Sequence, residues 1–351
     1  MIKVTGKGNI SATIIAHSKS VVDGKEIITY ELEYHRYIHS ELMTHRTFSR
    51  NAASSRAIPV SKMIDLVRTS PATPIHWGKN QAGMQASEEC NNDVSMDWDY
   101  YYDEPIHGTP EDAWAEASSH AMYKAKCFNE AGYHKQITNR LLEPFQMIKV
   151  VVTATEWDNF FWLRFHKAAQ PEIQELARCM LVAKKRSVAE VLQVGEWHTP
   201  YVAHRRTEDG LQYVVEDSDG QGYYVTAEEA LHVSSSCSAQ TSYRKNDSSL
   251  EKADKVWQML TTDERIHSSP TEHQATPMSM NFFCFDCQKD GGECWEHGVT
   301  HLDKLGKFWS NNFCGWIQHR ALITNNNCTT FDYDQEIDET GLVITGNKGT
   351  Q

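Results

Sequence analysis

Alternating apolar and polar positions predict a strand close to the start of the chain. From position 28 to position 34 every second residue is apolar, in the order Ile28, Thr29, Tyr30, Glu31, Leu32, Glu33, Tyr34. A period of two is typical of a strand that buries one face. A second apolar run, residues 148–152, predicts a strand or a buried connection.

Helical spacing follows in two longer segments. A helical pattern runs from Pro110 to about residue 140. Pro171 suits the first position of a second helix, because the missing N–H of proline costs nothing there. The apolar stripe of that helix is regular and indicates core packing, at Ile173, Leu176, Ala177, Met180 and Leu181.

The segment between about residues 66 and 110 fits neither pattern. It is acidic, with aromatic residues interleaved at Trp98 and at positions 100–102. Two interpretations stay open: a lid over a pocket, or an inserted surface loop that packs its aromatic rings locally.

Composition narrows the class of protein. The chain has 351 residues, 40% of them hydrophobic, which is enough for a large core. A net charge of −13 argues against a general nucleic-acid binder, but a nucleotide can still bind in a local arginine pocket. The sequence has neither a continuous apolar span for a membrane nor an apolar signal core, so we expect a cytoplasmic protein.

The most unusual stretch runs from Thr44 to Arg56. It holds three arginines, three serines, a histidine and an asparagine, and Phe48 is its only bulky apolar residue. Arginine suits phosphate because its planar fork gives paired, charge-assisted hydrogen bonds. The stretch therefore indicates either a site for a polar anion or a solvated helix end.

This stretch resembles the R-H-R-x-x-S-x-N-x-x-S-x-R signature of flavin-dependent thymidylate synthases. Six residues are in register, namely His45, Arg46, Ser49, Asn51, Ser54 and Arg56. Thr44 stands where that family has arginine, and Ala52 where it has an acid.

A second block resembles the other signature of the family, N-x-R-x-x-x-N-x-x-x-x-R-x-x-x-x-A-Q-x-E-I. The spacing from Asn159 to Arg164 matches, as does the tail at residues 169–173, whereas Thr153 and Thr155 replace the first Asn and Arg. Arg140 also lies where the family has an arginine ahead of a proline.

Two more segments resemble the family but come in an unexpected order. Residues 238–243 are similar to its S-A-R-V-S-Y segment, and residues 267–273 to its H-x-S/T-P-x-E-H segment. In the family both precede the R-H-R motif, so this chain resembles a circularly permuted relative, which folds tolerate when the joints lie at the surface. Residues 316–320 are a weaker echo of the W-x-R-H-R lead-in.

The resemblance implies an α+β fold of this family, a mixed sheet with long helices in one intertwined domain over residues 1–325, followed by a polar tail at 326–351. It implies a homotetramer and a site for FAD and dUMP, with methylenetetrahydrofolate and NADPH as co-substrates. The implied dUMP-binding residues are Glu41, Ser54, Arg56, Arg140 and Arg164, with Arg164 activating the uracil ring; the implied FAD-binding residues are His45, Arg46, Asn159, Ser242 and Ser269. We also expect Glu41 and His45 to lie one turn apart on a short helix.

The departures at positions 44 and 52 leave the reaction open. The first reading is reductive methylation of dUMP to dTMP. The alternatives are a related modification such as hydroxymethylation of a uracil nucleotide, or a non-catalytic interaction protein stabilised by zinc.

Zinc is suggested by a short Cys/His-rich insertion at about residues 281–303. Cys284, Cys287, Cys294 and His297 have spacing that a tetrahedral zinc site uses, and the alternative is free cysteines with surface histidines.

We predict about one zinc ion per chain, the content of a single four-ligand site. Elemental analysis of the purified protein measures it. Cys287→Ser should lose the metal and lower the melting temperature, because thiolate binding contributes to folding. A variant with unchanged metal content and stability would favour free cysteines.

Overall fold

The computed structural model describes residues 1–83, 86–99, 103–216, 220–242, 246–261, 268–279 and 295–327. In chain order the strands are β1 (Ile2–Thr5), β2 (Ser11–Ser20), β3 (Glu26–His35), β4 (Ser49–Ala52), β5 (Val94–Asp99), β6 (Glu104–Gly108), β7 (Met147–Ala154), β8 (Glu190–Leu192), β9 (Ala203–Thr207), β10 (Gly210–Glu216), β11 (Gly222–Val225), β12 (Ala275–Pro277), β13 (His301–Leu302), β14 (Phe308–Ser310), β15 (Phe313–Cys314) and β16 (Trp316–Gln318). The α-helices are α1 (His39–Met43), α2 (Val60–Thr69), α3 (Pro110–Glu130), α4 (Lys135–Thr138), α5 (Asp158–Arg164), α6 (Pro171–Arg186), α7 (Ala227–Ala239), α8 (Leu250–Thr261) and α9 (His319–Leu322). Single 3-10 turns lie at Lys7–Asn9, Arg36–Ile38, Asn139–Phe145 and Ser269–Glu272.

The central sheet has the strand order β1-β2-β3-β7-β4. All of these neighbours pair antiparallel, and β8 adds a short parallel pairing to the end of β2. β3 and β7 are therefore adjacent inner strands, with β2 as the third, and they carry the two apolar runs that the sequence predicts as strand. The mixed sheet with long helices agrees with the predicted α+β class.

One face of the sheet packs against α6. The even-numbered residues of β3 and β7, among them Tyr30 and Val152, meet Ile173 and Leu176 of that helix in a single apolar cluster. The stripe predicted for the helix is confirmed as core, and the helix begins at Pro171 as its sequence indicates.

The other face of the sheet is covered by the second half of the chain. Ile27 packs with Leu192, Ala275 and Trp316 in a separate apolar cluster. The prediction that β3 buries only one face therefore fails at Thr29, which has no exposed surface, whereas Glu31 and Glu33 on the same face are partly exposed.

A helical layer of α2 and α3 has an apolar cluster of its own. Val60, Val67, Leu142 and Phe145 form its apolar cluster together with α3. The hydroxyl of Thr109 caps α3 by accepting from its third residue, which fixes where that helix begins. The segment 66–110 contains the end of α2 and the hairpin of β5 with β6.

Residues 203–261 form a small unit of their own. β9, β10 and β11 make a three-stranded antiparallel sheet, and α7 and α8 pack on it through a cluster that includes Tyr213, Val215 and Val233. A capping box of Thr226 and Glu229 fixes the start of α7. No helix within the described ranges has both the length and the apolar content that a bilayer crossing requires.

Candidate functional site

The stretch 44–56 is a loop that runs into the sheet. α1 ends at Met43, and β4 begins at Ser49 and pairs with β7. The expectation that Glu41 and His45 share one helix is wrong, because His45 lies two residues beyond the helix end. The guanidinium of Arg50 holds the loop by donating to the carbonyls of Met43 and His45, at 3.0 and 3.1 Å.

Arg164 is the hub of a cluster at the end of α5. Its Nη1 donates to Oε2 of Glu41 at 2.9 Å and its Nε to Nε2 of His45 at 3.1 Å. Its Nη2 donates to the hydroxyl of Thr44 at 3.2 Å. The side chain is 20% exposed, and the charge is paired with the carboxylate of Glu41. The structure thus brings together three predicted site residues that are far apart in sequence.

The cluster keeps His45 neutral. Burial lowers the pKa of His45 to about 4, and the positive charges of Arg164 and Arg50 contribute. Burial raises the pKa of Glu41, and the charge of Arg164 opposes that shift. Because Arg164 donates to Nε2, the single proton of the His45 ring is on Nδ1.

Aromatic neighbours hold the His45 ring in place. Phe48 stacks on it at 5.5 Å between centroids, and Phe160 meets it edge-on at 4.9 Å. Phe48 and Phe160 are themselves buried. The neutral ring therefore presents an apolar face on one side and an accepting nitrogen to Arg164 on the other.

Two further predicted arginines line one open cavity of about 500 Å³. Arg56 and Arg140 share its wall with Gln136. The rest of the lining is apolar, from Phe128, Ile137 and Leu141. Arg140 also donates to Glu143 at 2.8 Å. Two guanidinium groups and an amide beside an apolar wall suit an anionic group attached to a flat or apolar body.

The second half of the chain contacts the stretch 44–56 directly. The hydroxyl of Ser242 accepts from the backbone N–H of Ser54 at 2.9 Å. The amide of Asn51 lies 3.2 Å from both the carbonyl of Ser269 and Nε2 of His273. Both segments that resemble the family beyond residue 188 thus lie against this stretch. The permuted order of motifs stays a prediction.

The end of β16 and the start of α9 contribute residues that sequence reasoning did not assign to the site. Gln318 is buried and donates to the hydroxyl of Ser49 at 3.2 Å and to the carbonyl of Glu272 at 3.1 Å. Arg320 forms an ion pair with the carboxylate of Glu272. The feature of the sequence that points to these residues is the similarity of residues 316–320 to the W-x-R-H-R lead-in. Gln136 was also missed, although it lies one helical turn before Arg140.

Other predicted residues lie apart from these clusters. Arg46 and Asn159 are exposed. Cys284, Cys287 and Cys294 lie outside the described residues, and His297 is exposed. Within the described ranges no group of three or more His, Cys, Asp or Glu side chains is arranged to hold a metal ion.

A larger cavity of about 1140 Å³ lies elsewhere on the surface. It is lined by residues 168–172 of the second signature, with Lys7, Trp114 and Arg178. None of the predicted site residues lines this larger cavity. The volume of a cavity therefore does not by itself identify the candidate site. The chemistry of the arginine pair favours the smaller one.

The family model described as "thymidylate synthase complementing protein" matches residues 12–188. That range contains both signatures, the stretch 44–56 and the block that ends at residue 173. A comparison with curated protein sequences finds no match.

Two solved structures of the UMP/dUMP methylase PolB from Streptomyces cacaoi are similar to about half of the chain. The form bound with 5-Br UMP has 16% identity, a TM-score of 0.34, and covers 52% of this chain and 92% of its own. The form bound with 5-Br dUMP has 16% identity, a TM-score of 0.37, and covers 52% and 93%.

The match over residues 12–188 identifies this chain as a member of the thymidylate synthase complementing protein family, the flavin-dependent thymidylate synthases. The family predicted from the two signatures is confirmed.

The neutrality of His45 is testable by titration. In the folded protein its pKa lies near 4, below the usual 6.5, so protons bind more readily to the unfolded chain. The contribution of His45 to stability is therefore complete above about pH 6.5 and falls as the pH drops toward about 4. Arg164→Ala should raise this pKa, because it removes a nearby positive charge and admits water.

NMR titration of the His45 ring measures the pKa directly. Arg140→Ala is the matched control, since Arg140 is an exposed arginine paired with Glu143 and does not contact His45. A His45 that titrates near 6.5 in the unsubstituted protein would contradict the assignment.

Proposed function

We propose that this protein is a flavin-dependent thymidylate synthase that converts dUMP to dTMP. Bound methylenetetrahydrofolate would supply the methylene carbon for C5 of the uracil, and bound reduced FAD would supply the hydride, with NADPH as the source of its electrons. Membership in the family supports a uracil nucleotide as substrate. The observation on which this proposal rests is the cluster of Arg164 with Glu41, His45 and Thr44.

The cavity lined by Arg56 and Arg140 is the proposed phosphate site. Its two cations and the Gln136 amide supply donors for phosphate oxygens, and Phe128, Ile137 and Leu141 supply an apolar wall. An open cavity costs a charged ligand less desolvation than a closed one, which suits binding from solution.

Arg164 is the proposed activating group. A guanidinium beside the uracil carbonyl and N3 stabilises negative charge on the ring, which makes C5 more nucleophilic. Glu41 holds Arg164 in position, because its Oε2 accepts from Nη1 at 2.9 Å and its backbone carbonyl accepts from Nη2 at 3.4 Å. His45 and Thr44 are uncharged acceptors, so the Glu41 carboxylate is the one anion of this cluster, and a uracil anion would share the guanidinium with it.

Some of the hydrogen-bond donors around the stretch 44–56 suit a flavin. His45 with its Nδ1–H, the amide of Asn51, and the hydroxyl of Ser242 lie on the segments that the resemblance assigns to FAD. We propose that Ser269 and the exposed Arg46 and Asn159 complete this set in an assembly of several subunits.

The alternative is hydroxymethylation of a uracil nucleotide. It is favoured by Thr44, which stands where the family has arginine and here accepts a hydrogen bond from Arg164. One positive charge is therefore missing beside the ring, and Ala52 removes a carboxylate nearby. Mass analysis of the nucleotide product separates the two reactions.

The proposed function is tested first by ligand binding. Protein purified with added FAD should show the visible flavin spectrum, and dUMP should perturb it, because both ligands share one site. UMP and dTMP serve as comparison nucleotides. Absence of flavin uptake together with absence of any response to dUMP would reject the proposal.

Arg164→Ala should preserve the fold and most FAD binding but lose dUMP affinity and turnover. The charge-assisted bonds of one arginine contribute about 1.5–3 kcal/mol, which is about 10- to 150-fold in affinity. Arg164→Lys should recover little of it, since an ammonium lacks the planar fork. Calorimetry with dUMP and product analysis measure the two effects. An alanine variant that turns over like the parent would show that Arg164 is not the activating group.

A further inference from the structure

A line of buried hydrogen bonds crosses four neighbouring strands of the central sheet. Its five contacts are Ser18 Oγ with His198 Nδ1 at 2.8 Å, His198 Nε2 with Thr29 Oγ1 at 2.8 Å, Thr29 Oγ1 with Thr153 Oγ1 at 2.7 Å, Thr153 Oγ1 with His273 Nδ1 at 2.8 Å, and His273 Nε2 with the Asn51 amide at 3.2 Å. The line links β2, β3, β7 and β4, so it spans about 14 Å at the usual strand spacing.

All members of this line except Asn51, which is partly exposed, are sealed from water. Thr29, Thr153, His198 and His273 have 0% exposure, and Ser18 has 2%. Burial lowers the pKa of His273 to about 3 and holds the pKa of His198 well below its usual value. Both imidazoles are therefore neutral at physiological pH, with one N–H donor and one accepting nitrogen each.

The proton count of the line allows two arrangements. Each hydroxyl and each neutral imidazole has one proton to donate, and five bonds need five donors. Among the described residues Thr29 and Thr153 have no side-chain partner outside the line, so a threonine that accepted both of its bonds would leave its own buried proton unpaired. With both threonines donating within the line, all five bonds run in one direction or all of them run in the other. Turning one member therefore requires every other member to turn, which is the cooperativity expected of a buried network.

Asn51 decides which direction is present. Its amide group lies 3.0 Å from the carbonyl of Arg50 and 3.2 Å from the carbonyl of Ser269. Carbonyl oxygens only accept, so the nitrogen of Asn51 faces them, and its two N–H groups are shared among the two carbonyls and Nε2 of His273. A protonated Nε2 would point its hydrogen at this NH2 group, so Nε2 is the accepting nitrogen of His273. His273 then has its proton on Nδ1 and donates to Thr153. Thr153 donates to Thr29, Thr29 to Nε2 of His198, and Nδ1–H of His198 to Ser18.

We propose that Ser18, His198, Thr29, Thr153 and His273 form one positioning relay for Asn51, in which the orientation of the Asn51 amide and the tautomers of both histidines are set together. His198 is thus a positioning residue for a site that it does not touch. A ligand that accepts a hydrogen bond from Asn51 reinforces the arrangement described here. A ligand that donates to Asn51 reverses the relay as far as His198.

Only the identity of such a ligand rests on the proposed function, because Asn51 belongs to the stretch assigned to flavin and nucleotide. The relay itself is a property of the protein alone. It is therefore tested without flavin, folate or nucleotide, so that its failure and the failure of the proposed function are separate results.

The tautomers of His198 and His273 are measured by NMR of protein labelled with ¹⁵N-histidine. The signals are assigned from variants in which each histidine is substituted in turn. In the parent we expect the proton on Nδ1 in both rings. Asn51→Asp replaces a donor with a carboxylate that only accepts, and should move the proton to Nε2 in both. Opposite tautomers at His198 and His273 in the parent would overturn the relay, whatever the variants do.

Cutting the relay in the middle gives the sharper test. In the Asn51→Asp background, Thr29→Val should abolish the change at His198 and keep the change at His273, whereas Thr29→Ser should restore both. Thr138→Val is the matched control, since Thr138 is equally buried and its hydroxyl donates to backbone carbonyls outside the relay. A change at His198 that survives Thr29→Val, or an Asn51→Asp variant that alters His273 alone while Thr29 is intact, would reject the proposal.

Discussion

The burial of β3 and β7 on both faces is the constraint on which the rest of this structure depends. Where α6 covers one face of these strands and the second half of the chain covers the other, as at Thr29 and Thr153, polar groups have no contact with water. Thr29 and Thr153 lie opposite each other on the second face and bond to each other at 2.7 Å. Because a buried hydroxyl without a partner is costly, the covering segment must bring polar groups of its own.

The covering segment meets that demand with histidines and amides. His198 and His273 bond to the two threonines, and Gln318 bonds to Ser49 at the end of the same face. These contacts also fix the loop that precedes β4. The hydrogen bonds that satisfy the buried polar face therefore also position the candidate site.

The cluster of Arg164, Glu41 and His45 follows another rule. A guanidinium at the end of α5, only 20% exposed, needs a partner, because an unpaired buried charge is costly. Its partner is Glu41, which lies 123 residues earlier in the chain, so no local pattern identifies it. The aromatic residues of α5 do not all pack inward. Phe160 is buried, whereas Trp162 is 76% exposed, since a helix of seven residues buries only one side.

The sequence by itself determined the family, the inner strands, the start of α6 and the residue types of the candidate site. Each of these depends on short-range information: a period of two, a proline with acids behind it, or a motif within about twenty residues. Only the tertiary structure decided which residues meet. The pairing of Arg164 with Glu41, the shared cavity of Arg56 and Arg140, and the line from Ser18 to Asn51 join segments far apart in the chain. Local patterns report which face of an element is apolar, but partners across a sheet are set by strand order and by the segment that covers it, and neither has a local signature.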